Sequence, residues 1–207
     1  MFIVLEGLDG AGTTTQLGRL AARLREHGHV VHETREPSDG PVGRWIRRTL
    51  AHDPEAPDPV TLPWMYAADR ADHLAREVEP ALARGEVVLS DRYLHSSLAY
   101  QSLQRPLDEV AALNASFRVP ELTVFVEVPV AVSLARIKAR LATEGGEPEL
   151  FEERAKLEAI RDAYHRVIER LVARGDRIAT VDGAGTIDDV EEGIRRVVEA
   201  AWPSSFA

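Results

Sequence analysis

Short apolar runs alternate with helical periods along the whole chain. Phe2 to Leu5 is a β-rich run, followed at once by the turn residues Gly7, Asp9, Gly10 and Gly12. Leu17, Leu20, Ala21 and Leu24 then recur at helical spacing, and Gly28 supplies a C-terminal stop. A second strand begins at Val30-Val31 and ends at Pro37. Pro41 to Leu50 and Leu62 to Arg84 read as helices, separated by the proline-rich loop Asp53 to Pro63. Val87-Val88-Leu89 is the third strand, Leu122 to Val126 the fourth and Ile178 to Val181 the fifth. Helices follow the last two, at Val130 to Leu141 and Ile187 to Ala200, and a long helix over about Leu150 to Arg174 precedes the fifth strand.

Strands without polar alternation are buried on both faces, and helices between them serve as crossovers. The expectation is an α/β fold: a five-stranded parallel sheet flanked by helices. No repeat, linker or low-complexity stretch divides the 207 residues, so residues 1–207 read as one domain. The one hinge-like loop is Thr143 to Pro148.

Composition narrows the class. The formal charge of −9 argues against a non-specific nucleic-acid binder, although a few arginines can make one cleft positive on an acidic body. The absence of cysteine removes disulfides, zinc–thiolate sites and cysteine nucleophiles together. No apolar run approaches the ~20 residues of a membrane span, and no basic segment precedes the apolar start as in a signal peptide. A cytoplasmic protein with no membrane partner is expected.

Candidate chemistry begins at Gly7-Leu8-Asp9-Gly10-Ala11-Gly12-Thr13-Thr14-Thr15. The spacing is that of a phosphate-binding loop, G-x-x-x-x-G-K-[ST], with Thr13 where the lysine belongs. Glycines let backbone N–H groups turn onto phosphate oxygens, and the following helix adds its positive end. Thr14 holds the hydroxyl position that helps bind Mg²⁺. Without its lysine, the motif alone fits an unliganded strand-to-helix turn equally well.

Other segments weigh on the choice. Asp91 ends the third strand, where ligands sit in open α/β sheets, and an acid there can hold Mg²⁺ directly or through water. Arg92 follows it, where hydrolysing ATPases often place a glutamate. The only asparagine, Asn114, does not lie in the Asn-Lys-x-Asp base reader of a GTPase. Phosphoryl transfer between nucleotides therefore gains over hydrolysis.

The ordered set of segments resembles the thymidylate kinase family. It comprises Leu5 to Gly12, Thr34-Arg35-Glu36-Pro37, Tyr66-Ala67-Ala68-Asp69-Arg70, Asp91-Arg92-Tyr93, Ser96-Ser97, Ala99-Tyr100-Gln101 and Pro120-Glu121-Leu122-Thr123. The resemblance implies a P-loop kinase fold with a small lid segment at about 136–154, ATP with Mg²⁺ as donor, dTMP as acceptor, and a homodimer. It implies that residues 7–15 bind ATP and that Thr14 and Asp91 hold the metal. Asp9 would bond the deoxyribose 3′-hydroxyl, Tyr66 stack on thymine and Arg70 reach a thymine carbonyl. Ser97 and Gln101 fall in the base-reading stretch, and Tyr100 would crowd the sugar 2′ position. Arg35, Arg47 and Arg92 would surround the acceptor phosphate, where arginine's planar fork suits phosphate oxygens.

Two departures stand out. Thr13 replaces the phosphate lysine, and the lid reads Gly145-Gly146-Glu147-Pro148-Glu149-Leu150-Phe151-Glu152, without the family's arginine. The expected compensation comes from Arg136 and Arg140, four apart on one helix. A catalytically silent nucleotide-binding homologue and a kinase for another nucleoside or nucleotide are the alternatives. His27, His29 and His32 lack a metal-site pattern, and Trp45 and Trp64 read as packing residues.

Overall fold

A computed structural model describes residues 1–144 and 150–206; most of the expected lid loop, residues 145–149, lies outside them. The described strands are β1 (Phe2–Gly7), β2 (Val31–Arg35), β3 (Val87–Asp91), β4 (Leu122–Glu127) and β5 (Ile178–Asp182). They form one parallel sheet in the order β2-β3-β1-β4-β5, as the run of apolar strands and helical crossovers predicts. Every residue of β1 is buried, because helices cover both faces. Ile3 and Leu5 pack on one side with Leu17, Leu20 and Leu24 of helix α1 (Thr13–Glu26). Phe2 and Val4 point to the other, against Val78, Tyr93, Leu98 and Leu171.

The connections put the carboxyl end of β1 at a switch point. The chain leaves β1 through α1 to β2 on one side, while β4 flanks it on the other. Crossovers diverging from that point leave a crevice above it, where open α/β sheets bind ligands.

Two stretches differ from the sequence expectation. The helix expected over Leu62 to Arg84 is α3 (Leu62–His73), a π-helical turn at Leu74–Val78 and α4 (Glu79–Ala83). Pro80 has no N–H to donate to the carbonyl four residues back, and the wider turn immediately before it accommodates that loss. Between Arg92 and Pro120, where no helix is expected, the chain forms α5 (Leu94–Gln101) and α6 (Leu107–Asn114). Helix α5 hid from periodicity because Ser97, Tyr100 and Gln101 line a cavity, which puts polar side chains on its inward face. The remaining helices are α2 (Pro41–Leu50), α7 (Val130–Glu144), α8 (Leu150–Arg174) and α9 (Ile187–Ala201). Helix α9 is capped by reciprocal Thr186–Asp189 bonds and tied to α1 through Glu191 with Arg19 and Arg23.

Helix α2 lies against the loop after β2 so closely that a Cβ at Gly43 would sit 1.9 Å from the Ser38 carbonyl oxygen. At Gly18, inside α1, a Cβ would meet nothing within 4 Å. Gly43→Ala is therefore expected to destabilise the protein by about 1–3 kcal/mol or more. Gly18→Ala is expected to stabilise it by roughly 0.5–1 kcal/mol. Urea unfolding of the two variants beside the native chain measures both.

Candidate active site

The loop between β1 and α1 has a cradle's shape. Gly10 and Gly12 adopt φ of 80° and 91°, the left-handed region that glycine enters without strain. A Cβ at Gly10 would also press to 2.8 Å from the Ser133 carbonyl of α7, so a bulky side chain there cannot replace the missing cation. Leu8 and Ala11 are buried and pin the loop to the core. No side chain caps the N-terminus of α1, which leaves its first N–H groups for a ligand. Thr13 is buried, while Thr14 and Thr15 are exposed. The Thr14 hydroxyl donates to Oδ2 of Asp91, and Oδ1 of Asp91 is buried without a hydrogen-bond partner. A hydroxyl beside a carboxylate with one unmet oxygen is the hard-oxygen donor set that Mg²⁺ prefers.

Next to this cradle the chain turns sharply after β3. Arg92 has φ of 73°, unusual for a residue with a side chain. The turn is held from below by Glu6, the one acid within an otherwise apolar strand. Its Oε1 accepts the Tyr93 N–H at 2.8 Å and the Ser96 N–H at 3.2 Å, and its Oε2 accepts the Ser96 hydroxyl at 2.6 Å and the Tyr164 phenol at 3.0 Å. His95 stands 3.6 Å from Oε1. Burial alone would raise the Glu6 pKa; His95, Arg92 and the Ser96 hydroxyl outweigh it and hold the carboxyl below its ordinary value. Above the turn, Arg92 donates to Asp9 at 2.7 Å and to Ser96 at 3.1 Å, and the Tyr100 hydroxyl donates to Asp9 at 3.2 Å.

A cavity of about 560 Å³ opens from Asp9 and Arg92 and runs between α3, α5 and α8. Tyr66, Arg70, Ser97, Tyr100 and Gln101 all line it, so the structure brings these sequence-derived candidates together with Asp9 and Arg92. Burial raises the Tyr66 phenol to about 12, so its ring is neutral at physiological pH. Arg70 is fully buried, yet its guanidinium is fixed in place. It donates to Glu36 at 2.5 Å, to Ser97 at 3.0 Å and to the Asn114 side-chain oxygen, and it lies 5.0 Å over the Tyr93 ring. Glu36 in turn takes His73 at 3.3 Å. Paired and hydrogen-bonded in this way, a buried arginine presents a rigid donor to whatever fills the cavity.

Other candidates lie outside the cavity wall. Arg35 and Arg47 converge on Asp39, at 2.8 and 3.0 Å, beside the Ser38 loop. Arg136 spans from the Gly10 and Ala11 carbonyls, at 3.4 and 3.2 Å, to the Gly183 carbonyl at 3.0 Å, tying the glycine loop to the turn after β5. Arg140 is exposed one turn further along α7. Trp45 and Trp64 are partly exposed, each beneath an arginine, rather than in the core. Among the described residues no cluster of three or more His, Asp or Glu side chains forms a metal site.

Sequence reasoning missed Glu6, Glu36, Asn114, Lys156 and Tyr164. Glu6 had a readable signal, a charge inside a buried strand; Asn114 and Tyr164 sit in ordinary helical sequence and gave none.

A parallel sheet in this order, a glycine loop opening α1 and an arginine-lined cavity across from it define a P-loop nucleotide kinase, built to bring two phosphate-bearing ligands together. The thymidylate kinase family model matches residues 5–194. The chain belongs to the thymidylate kinase family and is a nucleoside monophosphate kinase. It is 38% identical to the thymidylate kinase of Synechococcus sp. (strain JA-2-3B'a(2-13)), over 100% of this chain and 98% of that one. It is 39% identical to the Syntrophotalea carbinolica thymidylate kinase, over 91% and 90% of the two chains. The thymidylate kinase of Thermomicrobium roseum is 43% identical over 82% and 81%.

The lowered Glu6 pKa carries a stability consequence. A carboxyl lower in the folded than in the unfolded state stabilises the fold above its unfolded value of 4.5, and that contribution fades as pH falls through the folded value. Native stability is therefore expected to fall as pH drops below about 4.5, and Glu6→Gln to flatten that slope. Denaturant titrations between pH 3 and 7 measure it; parallel curves would refute the role assigned to the carboxylate.

Proposed function

We propose that the chain is a dTMP kinase that transfers the γ-phosphoryl group of ATP to dTMP, giving dTDP and ADP. The observation that carries this reading is the continuity of the cavity: one wall holds Tyr66 and the fixed Arg70, and its inner end reaches Asp9 and Arg92 beside the glycine loop.

In this reading thymine stacks on Tyr66 while Arg70 donates to a ring carbonyl and Ser97 and Gln101 complete the base contacts. Asp9 accepts from the sugar 3′-hydroxyl, and Tyr100, bonded to Asp9, occupies the space a 2′-hydroxyl would need. Arg92 meets the acceptor phosphate, joined by Arg35 and Arg47, whose pairing with Asp39 a phosphate can displace. The loop from Gly7 to Thr15 wraps the donor phosphates. Thr14 and Asp91 would hold Mg²⁺, which would supply charge neutralisation on the donor phosphates.

An acceptor phosphate oxygen attacks the γ-phosphorus as the bond from phosphorus to the β,γ-bridging oxygen breaks, and ADP leaves with that oxygen. The acceptor phosphate is a dianion near neutral pH, so no general base is required. What the protein contributes is alignment and charge neutralisation. Arg136 braces the loop through its carbonyls, and Arg140 adds charge from the same helix in place of a lysine at position 13. The enzyme works on free nucleotides in the cytoplasm, as a homodimer; the exposed Trp64 and Val119 support such a face. No described helix is long and apolar enough to cross a membrane.

A coupled ADP-release assay with dTMP, dUMP, UMP, CMP and thymidine tests the acceptor. dTMP is expected to be preferred, and equal turnover of dTMP and UMP would remove the assignment. Tyr66→Ala is expected to weaken dTMP binding by about 1–3 kcal/mol, the range of base–aromatic stacking. For the donor side, Arg136→Ala and Arg140→Ala are each expected to lower kcat about tenfold or more, with the KM for dTMP changed far less. Unchanged kcat in both would eliminate α7 as the source of compensation.

A further inference from the structure

The acceptor cavity contains one cation that the family reading does not use. Its ionisable wall residues, tyrosines aside, are Asp9, Glu36, Arg70, Arg92, Arg105 and Lys156. Three of the four cations are already neutralised: Arg70 by Glu36 at 2.5 Å, Arg92 by Asp9 at 2.7 Å, and Arg105 by Glu109 at 3.0 Å. Among the described residues, Lys156 has no ion pair and no hydrogen bond. A cavity that takes up a nucleotide's phosphate without an uncompensated positive charge would repel part of what it must bind.

The placement of Lys156 follows from α8. Lys156, Ile160 and Tyr164 recur every four residues and so form one stripe on the helix. Ile160 lines the cavity, and Tyr164 ends the stripe at the reaction centre, its hydroxyl 3.0 Å from Glu6, 3.3 Å from the Gly7 carbonyl and 3.5 Å from Arg92. The same stripe brings Lys156 into the wall that holds Asp9 and Arg92.

Residue type points the same way. Of the 25 basic residues only two are lysine, Lys138 and Lys156, and only Lys156 lines this cavity. An ammonium on a four-carbon stem is a mobile point charge with three donors, the same chemical group that the loop lacks at Thr13.

We propose that Lys156 is a catalytic residue: its ammonium contacts the transferring phosphoryl group from the acceptor side and supplies part of the charge that Thr13 cannot. The inference rests on the dTMP kinase reading and complements the support from α7, which approaches from the donor side. As the bond to the leaving oxygen of ADP breaks and the acceptor oxygen bonds to phosphorus, charge spreads over the phosphoryl oxygens. The ammonium donates to those oxygens without giving up a proton.

The test is a set of full-length variants assayed for dTMP-dependent ADP release: native, Lys156→Met, Lys156→Arg, Thr13→Lys, and Thr13→Lys combined with Lys156→Met. Lys156→Met keeps the apolar stem and is expected to lower kcat on the order of 10- to 100-fold, with the KM for dTMP changed by less than about threefold. Lys156→Arg should retain more activity than the methionine variant. Thr13→Lys should raise the activity of Lys156→Met by a clearly larger factor than it raises that of the native chain, a coupling that general loss of structure would not produce. The assignment is overturned by a kcat within about twofold of native in Lys156→Met, by an effect on KM alone, or by equal effects of Thr13→Lys in both backgrounds. Absence of dTMP-dependent ADP release from the native chain would overturn the kinase reading, and this inference with it.

Discussion

Glu6 is the carboxylate around which the catalytic half of the molecule is assembled. It projects from the central strand and gathers two backbone N–H groups, a serine hydroxyl and a tyrosine phenol from β3–α5 and α8. Those bonds fix the turn that carries Arg92 in its left-handed conformation, and the turn fixes the direction in which the guanidinium points. A buried carboxylate is tolerable only when fully satisfied, so the same requirement that keeps Glu6 stable also defines the geometry above it. Asp9 and Tyr100 then complete the cluster from the glycine loop and α5.

The acceptor side follows a parallel logic. Arg70 is a full charge in the interior, where an unpaired guanidinium would be costly. Glu36, Asn114 and Ser97 come from three separate parts of the chain to hold it, so its guanidinium is rigid before any ligand arrives. Ser38 and Asp69 link the same loop to α3 through bonds of 2.7 and 2.6 Å. The cavity wall is therefore preorganised rather than ordered on binding, although Nε of Arg70 is buried without a hydrogen-bond partner.

Thr13 changes how charge is distributed around this frame. With no lysine in the cradle, and with a side chain at Gly10 blocked by Ser133, the loop contributes backbone dipoles but no full positive charge. The cations proposed to stand in for it lie on two helices: Arg136 and Arg140 on α7, and Lys156 on α8. Arg136 meets loop carbonyls, a bracing contact that needs no phosphate. In the proposed reading, catalytic charge comes from the helices on either side of the loop, whereas the loop itself supplies shape.

The apolar runs and their helical crossovers by themselves determined the parallel α/β sheet, since the central strands β1, β3 and β4, buried on both faces, leave a continuous hydrophobic signature, whereas the edge strands β2 and β5 are only partly buried. The glycine spacing determined the tight strand-to-helix loop, because φ above zero and close backbone approach admit little else, while its reading as a phosphate cradle needed the order of the other motifs. Motif order located Asp9, Tyr66, Arg70, Arg92 and Tyr100, which the fold brings to one cavity. Helices α5 and α6 escaped detection: α5 turns polar residues toward the cavity, so its periodicity is broken by the site itself. Only the tertiary structure decided that Glu6 anchors the Arg92 turn, that Asn114 and Glu36 hold Arg70, and that Tyr164 and Lys156 reach the site from α8. These contacts join residues up to 158 positions apart. No local pattern records them, because a buried polar group is satisfied by whichever partner the folded chain brings within hydrogen-bond reach.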